Sequence, residues 1–161
     1  MKIKVGLGYD IHRLVTGRRL FLGGVEIEHG KGLLGNSDAD ALIHAISDAI
    51  FGALCLPNIG EQFPETADWT KDLDSKKILK RAADVVAEGG YTVSNVDAVI
   101  VAQEPKLSPH FQRMRDSIAG ILVIPPDCVG LKATTSELIG TIGHGEAIAV
   151  MANVLLLSAK E

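Results

Sequence analysis

Along residues 2–14, apolar positions alternate with small or polar ones: Val5, Leu7, Tyr9 and Ile11 fall between Gly6, Gly8, Asp10 and His12. A period of two is that of a strand, and it puts Asp10 and His12 on one face. The period then changes. Over residues 37–54 the apolar side chains recur at helical spacing, with Leu42, Ile43, Ile46, Ile50, Ala53 and Leu54 on one broad face. Ser37, three residues ahead of Asp40, reads as the helix start, and Pro57 forbids continuation past residue 56. Asp40, His44 and Asp48 are four apart, so they stack on the face opposite the apolar one. A stripe of this kind is ordinarily a solvated face. If the first strand packs beside this helix, however, Asp10, His12 and His44 converge into a His-His-carboxylate set. Three such ligands leave a fourth tetrahedral position open, the pattern of a catalytic zinc site.

The same reading continues along the chain. Residues 20–22 and 25–27 are short strands around Gly23 and Gly24, and residues 28–36 form a glycine-rich loop. Residues 57–74 are long for a connection and read either as a lid or as a disordered segment. A helix over 75–87 ends at Gly89-Gly90, and a strand over 91–103 has a Val-Ile-Val-Ala centre that looks buried on both faces. A turn at 105–109 leads into a helix over 110–122, broken by Pro125-Pro126 and followed by a strand over 128–134. Thr135 or Ser136 caps a short helical turn, with Thr134 and Glu137 at capping-box spacing, and residues 146–159 favour a final strand. The expected fold is α+β over a single domain, 1–161. It has a mixed four-stranded sheet with helices packed on one face plus a short hairpin.

Composition narrows the function. The chain has 161 residues, 47% hydrophobic and 22% charged, as in globular proteins, and its 4% aromatic content implies an aliphatic core. Few aromatics, a net charge of −4 and no Lys/Arg block speak against nucleic acid as a partner. An anionic ligand would need bound cations to neutralise it. Two widely separated cysteines, Cys55 and Cys128, fit a reducing compartment. No apolar leader is visible, and the longest apolar run, 147–157, is too short for a bilayer; the expected location is cytoplasmic, with no membrane partner. A zinc with an open position either activates water or polarises a phosphoryl oxygen. Three features favour the second use. Asn36 and Ser37 lie at the start of the long helix, where free N–H groups favour phosphate. Thr134, Thr135 and Glu137 form a second helix start, whose carboxylate could bring a second divalent ion. Lys106 adds a point charge.

Asp10-x-His12, Lys31-Gly-Leu-Leu, Ser37-Asp-x-Asp40 with His44 and Asp48, Ala102-Gln103-x-Pro-Lys106 and Lys132-Ala-Thr-Thr-x-Glu137 occur in that order. Together they resemble the 2-C-methyl-D-erythritol 2,4-cyclodiphosphate synthase family, the cyclising enzymes of the non-mevalonate isoprenoid pathway, over nearly the whole chain. The resemblance implies a homotrimer with active sites between neighbouring subunits. It implies Zn2+ on Asp10, His12 and His44, and Mg2+ or Mn2+ on Glu137. The implied substrate is 4-diphosphocytidyl-2-C-methyl-D-erythritol 2-phosphate, whose own ionised 2-phosphate displaces CMP, so that Asp40 and Asp48 are supporting residues. Ala102, Pro105, Lys106, Leu107 and Ser108 would hold the cytidine and its phosphates with Lys132, Ala133 and Thr134, and Thr135 would stabilise the transferring phosphoryl group. Asn58, Ile59, Gly60, Phe63, Pro64 and Glu65 would face the methylerythritol part, Asn36 and Ser37 the phosphate, and Thr141 and His144 complete the substrate-facing set. The family usually has His at position 36, Asp at 58 and, in its inter-subunit cavity, Arg at 144, where this chain has Asn36, Asn58 and His144. Activity is expected to persist at a lower rate. Competing readings are a zinc-dependent phosphohydrolase and a catalytically silent trimer that binds metal and nucleotide.

Overall fold

A computed structural model describes residues 1–159 of the chain. The alternating N-terminal segment is strand β1, Ile3–Thr16. The short strands β2, Leu20–Leu22, and β3, Val25–Ile27, pair with each other as the expected hairpin. β4 is Lys31–Leu33, β5 Tyr91–Val101, β6 Val129–Thr134 and β7 Ala147–Ser158. The main sheet runs β4-β1-β7-β5-β6 and has five strands rather than the four expected. The extra one is β4, which pairs antiparallel to β1 from Leu14↔Leu33 to Thr16↔Lys31. Its three residues lie in a glycine-rich stretch too short to show a period. β1 and β5 flank β7 antiparallel, and β5 and β6 are parallel, so the sheet is mixed.

The helices are α1, Ala41–Ala53; α2, Ile59–Gln62; α3, Ser75–Glu88; α4, Phe111–Leu122; and α5, Gly140–Gly143. The connection from 57 to 74 folds into α2 and a single 3-10 turn, Asp68–Thr70. Among the described residues no helix is long and apolar enough to cross a membrane.

Two glycines set the sheet against α1. A Cβ on Gly6 would lie 1.8 Å from the Ala49 carbonyl oxygen, and one on Gly8 would lie 1.9 Å from that of Ala45. Only hydrogen at these positions lets the helix rest on the strand backbone. The alternate residues of β1, from Ile3 to Ile11, point away from α1 and are between 43% and 67% exposed. α1 is therefore buried almost all round, His44 included, and the stripe of Asp40, His44 and Asp48 is not a solvated face. β5 is likewise buried on one side only, at Val93, Val96, Ala98 and Ile100, while Asp97, Val99 and Val101 are half-buried on the other. The core is aliphatic, with Phe51 its largest fully buried side chain.

α1 begins at Ala41, not at Ser37, and its N-cap is Asp40. The Asp40 carboxylate is fully buried and accepts from the backbone N–H groups of Ile43 at 3.0 Å, Gly23 at 2.9 Å and Gly24 at 2.6 Å. It thus ties the β2–β3 hairpin to the head of α1. Burial raises its pKa above the usual carboxylate value, with the N–H donors of Gly24, Ile43 and Gly23 opposing. The positive end of this helix is occupied by a carboxylate from the chain itself, so Asn36 and Ser37 do not form a helix-terminus phosphate site. The second expected helix start is also absent. After β6 the chain turns through Glu137 and Leu138 at φ of 50° and 63°, and α5 begins only at Gly140.

Candidate active site

Asp10 and His12 extend from β1 toward α1, where His44 faces them. The His12 Nε2 lies 3.0 Å from Asp10 Oδ2, the His44 Nδ1 lies 3.1 Å from the same oxygen, and the two imidazole nitrogens are 3.3 Å apart. These donor atoms all fall within 4.8 Å of one another. Asp10 and His12 are partly buried, and His44 is 6% exposed.

The outer bonds decide what the cluster can hold. His12 Nδ1 donates to the Leu34 carbonyl oxygen at 2.8 Å, which leaves Nε2 with a bare lone pair aimed at a carboxylate that can itself only accept. Acceptors facing acceptors need a cation between them, and two imidazoles with one carboxylate suit Zn2+. Without metal the cluster draws in a proton. Burial lowers the His12 pKa, but the hydrogen bond and the charge of Asp10 outweigh it, and the net direction is upward. Burial raises the Asp10 pKa, yet the two imidazoles bring it down to about 2.

The triad opens into a cavity of about 150 Å³ that is also lined by Asn36, Ser37, Ile59, Gly60, Phe63 and Glu65. Asn36 donates its amide to Thr70 Oγ1 at 3.1 Å, which fixes the side chain at the cavity wall. Asp48 stands beneath this wall and accepts from the Ile59 N–H at 2.8 Å, anchoring the segment that carries Gly60 and Phe63. Burial raises its pKa, with that N–H opposing. Asn58 does not line the cavity; it caps α2 by accepting from the Glu61 N–H at 3.1 Å. Pro64 contributes its carbonyl to Thr70 Oγ1 at 3.0 Å.

A second pocket, of about 600 Å³, gathers Ala102, Pro105, Lys106, Leu107 and Ser108 with Ala133, Thr134 and Thr135. Thr135 Oγ1 donates to Glu137 Oε1 at 2.9 Å and accepts the Glu137 N–H at 3.3 Å, which places the exposed carboxylate beside this pocket's rim. Four further expected residues lie in neither pocket. Asp40 is sealed in the helix cap, Lys132 is paired with Asp97 at 2.5 Å, and Thr141 and His144 are exposed on and after α5. Thr70, Leu73 and Ile78 in the first pocket and His29 and Phe111 in the second lie outside the expected set, and none of them stands in a sequence pattern that marks it as a site residue. Ser75 carries no such mark either, although its Oγ lies 2.8 Å from His44 Nε2, and Asp38 stands in the Ser37-Asp-x-Asp40 motif with no role read for it from the sequence.

The sequence profile of the YgbB family matches residues 3–157. The chain belongs to the YgbB family. It is 51% identical over 154 residues to the 2-C-methyl-D-erythritol 2,4-cyclodiphosphate synthase of Geobacter sulfurreducens, covering 96% of this chain and 98% of that one. It is 47% identical over 156 residues to the synthase of the same name from Bacteroides thetaiotaomicron, covering 97% and 98%. Among solved structures of similar fold, IspF of Plasmodium falciparum in complex with CDP is 34% identical, with a TM-score of 0.87 over 98% of this chain and 97% of that one. The bifunctional IspDF of Campylobacter jejuni is 41% identical with a TM-score of 0.92 over 96% of this chain, which spans 42% of that longer protein. The five-stranded sheet with its helices is thus a YgbB-family fold, and the Asp10, His12 and His44 cluster lies within the matched region.

Proposed function

We propose that the whole chain acts as one cyclodiphosphate synthase unit, converting 4-diphosphocytidyl-2-C-methyl-D-erythritol 2-phosphate into 2-C-methyl-D-erythritol 2,4-cyclodiphosphate and CMP. The observation that carries this reading is the convergence of one ligand atom each from Asp10, His12 and His44 at a small cavity, in a chain half identical to relatives named for that reaction. An oxygen of the substrate's 2-phosphate bonds to the β-phosphorus, the bond from that phosphorus to the CMP oxygen breaks, and a ring closes. The nucleophile is already ionised, so the site has to position and neutralise rather than remove a proton.

Asp10, His12 and His44 would hold Zn2+, which supplies positive charge to a phosphoryl oxygen when bound. Glu137, held by Thr135, would hold Mg2+ or Mn2+, which would supply positive charge to the substrate phosphates, matching the habit of these ions of taking few protein ligands. The Asn36 amide has an N–H to offer phosphate beyond the one given to Thr70, without the charge a histidine would add. Thr135 would turn its hydroxyl from Glu137 to the transferring group. The backbone and side chains from Ala102 to Ser108, with Lys106 as the cation, would hold the cytidine diphosphate portion. Ile59, Gly60, Phe63 and Glu65 would face the methylerythritol part, on a segment whose start Asn58 fixes by capping α2. We assign no direct substrate contact to Asp40.

A homotrimer is supported by the helix-free side of the sheet, where Val5, Leu7, Tyr9 and Met151 leave apolar surface exposed. A cytoplasmic setting is supported by two free cysteines, Cys55 and Cys128. The decisive experiment is product identification by mass spectrometry with zinc, magnesium and the named substrate in labelled water. CMP and an unlabelled cyclic diphosphate are expected. A linear product carrying oxygen from water, or no CMP at all, would overturn the proposal.

A further inference from the structure

We propose that Asp38 and Ser75 are positioning residues that hold His44 in the tautomer needed for a metal ligand. This rests on the reading that Asp10, His12 and His44 bind Zn2+. Ser75 is the first residue of α3 and is fully buried, and its Oγ lies 2.8 Å from His44 Nε2. The same hydroxyl donates to Asp38 Oδ1, while the Ser75 backbone N–H donates to Asp38 Oδ2 at 3.0 Å. A serine hydroxyl has one proton, and a carboxylate has none to give. With that proton committed to Asp38, Ser75 can show His44 only a lone pair, so His44 Nε2 must carry the hydrogen. Nδ1 is then bare, and it is the nitrogen 3.1 Å from Asp10 Oδ2. Ser37 Oγ, the other hydroxyl near Nε2, stands at 3.5 Å, too far to compete.

Asp38 is itself held. It accepts the Asp40 backbone N–H at 3.3 Å, and its own N–H donates to the Leu73 carbonyl at 3.2 Å. The chain Asp38–Ser75–His44 thus joins the loop before α1 to the head of α3 and sets the direction in which His44 presents its lone pair. His12 reaches the opposite tautomer through Leu34, so one imidazole offers Nε2 and the other Nδ1. Outer partners of this type are worth about 10–100-fold in metal affinity.

In Asp38→Asn, the amide oxygen can keep the Ser75 N–H while its NH2 donates to Ser75 Oγ. The hydroxyl proton then turns to His44 Nε2 and forces the hydrogen onto Nδ1. Two-bond 1H–15N spectra of the metal-free full chain at pH 8.5, with labelled histidine, read this directly. His44 should be Nε2–H in the unsubstituted chain and Nδ1–H in Asp38→Asn. Zinc affinity, measured by chelator competition, should fall about 10–100-fold in Asp38→Asn and in Ser75→Ala, with circular dichroism unchanged. If Asp38→Asn does not fold, the unsubstituted spectrum and Ser75→Ala still decide. An Nδ1–H signal for His44 in the unsubstituted chain, or unchanged zinc affinity in the folded variants, would overturn the assignment. Failure of the unsubstituted chain to take up zinc would instead reject the metal reading, since the tautomer is measured without metal.

Discussion

Burial by itself would push the Asp10 carboxyl up, yet the imidazoles of His12 and His44 bring its pKa from 3.8 down to about 2. A carboxylate whose folded pKa is depressed stabilises the fold above its unfolded pKa, and the contribution is lost as pH falls through the folded value. The metal-free chain should therefore lose about 2 kcal/mol between roughly pH 4 and pH 2 on account of Asp10, as measured by urea unfolding. Asp10→Asn should show a flatter slope over the same interval, and an identical slope would contradict the assignment. His12 acts with the opposite sign: its raised pKa stabilises below about 6.5 and that contribution fades as pH rises through the folded value. His44→Ala removes one of the three donors, so elemental analysis after dialysis against zinc should find almost none retained, with the far-ultraviolet circular dichroism of the parent. Full zinc occupancy would mean that the ligand set is wrong. All three donors are legible in the sequence because each depends on a local period, two for Asp10 and His12 and four for His44. Asp40 shares that spacing of four, and there the spacing misleads. Its partners Gly23 and Gly24 come from a hairpin 17 and 16 residues upstream, a contact that no local period reports.

The docking of β1 on α1 brings these residues together, and it depends on backbone rather than side-chain complementarity. With a Cβ at position 8 only 1.9 Å from the Ala45 carbonyl oxygen, and neither partner able to move without disturbing the triad, Gly8→Ala should cost about 3 kcal/mol or more. Gly120 provides the control. It lies within α4, and a methyl group added there would meet nothing within 4 Å, so Gly120→Ala should gain about 0.5–1 kcal/mol through helix propensity. Both are read from chemical denaturation midpoints, and a neutral Gly8→Ala would mean that the strand and helix are not in contact as described. The strand and the helix are each legible alone, but the glycines that let them touch read only as small residues in an alternating run. β4 shows the same limit from another side: three residues paired through Leu14 and Leu33 form a strand only because β1 has an open edge there. The segment after β6 misleads for a different reason, since Thr134 and Glu137 have capping-box spacing while Glu137 and Leu138 sit in the left-handed region that ends rather than starts a helix.

At the scale of the molecule, the cavity at Asp10, His12 and His44 and the pocket around Lys106 are separate in one chain, with no residue lining both. A reaction that needs cation and nucleotide sites side by side therefore calls for a second copy to complete the site. The sheet has an exposed apolar face on which the proposed assembly would form. Residues of β1 that point toward α1 include Gly6, Gly8, Asp10 and His12, whereas Val5, Leu7 and Tyr9 point the other way and are 67%, 67% and 55% exposed. Apolar side chains in a contiguous row on a helix-free face would be a liability in a monomer and a core in an assembly. Placing a charge there separates assembly from metal binding, because Leu7 and the triad lie on opposite faces of the same strand. In sedimentation experiments the unsubstituted chain should run at three times 17.1 kDa, and Leu7→Glu at the mass of a single chain. The variant should still take up zinc through its intact triad while losing CMP release, since no copy would bring its nucleotide pocket to a neighbour's metal. Leu7→Glu that remains trimeric would show that this face is not the interface. A monomeric Leu7→Glu with full turnover would show that one chain holds a complete site.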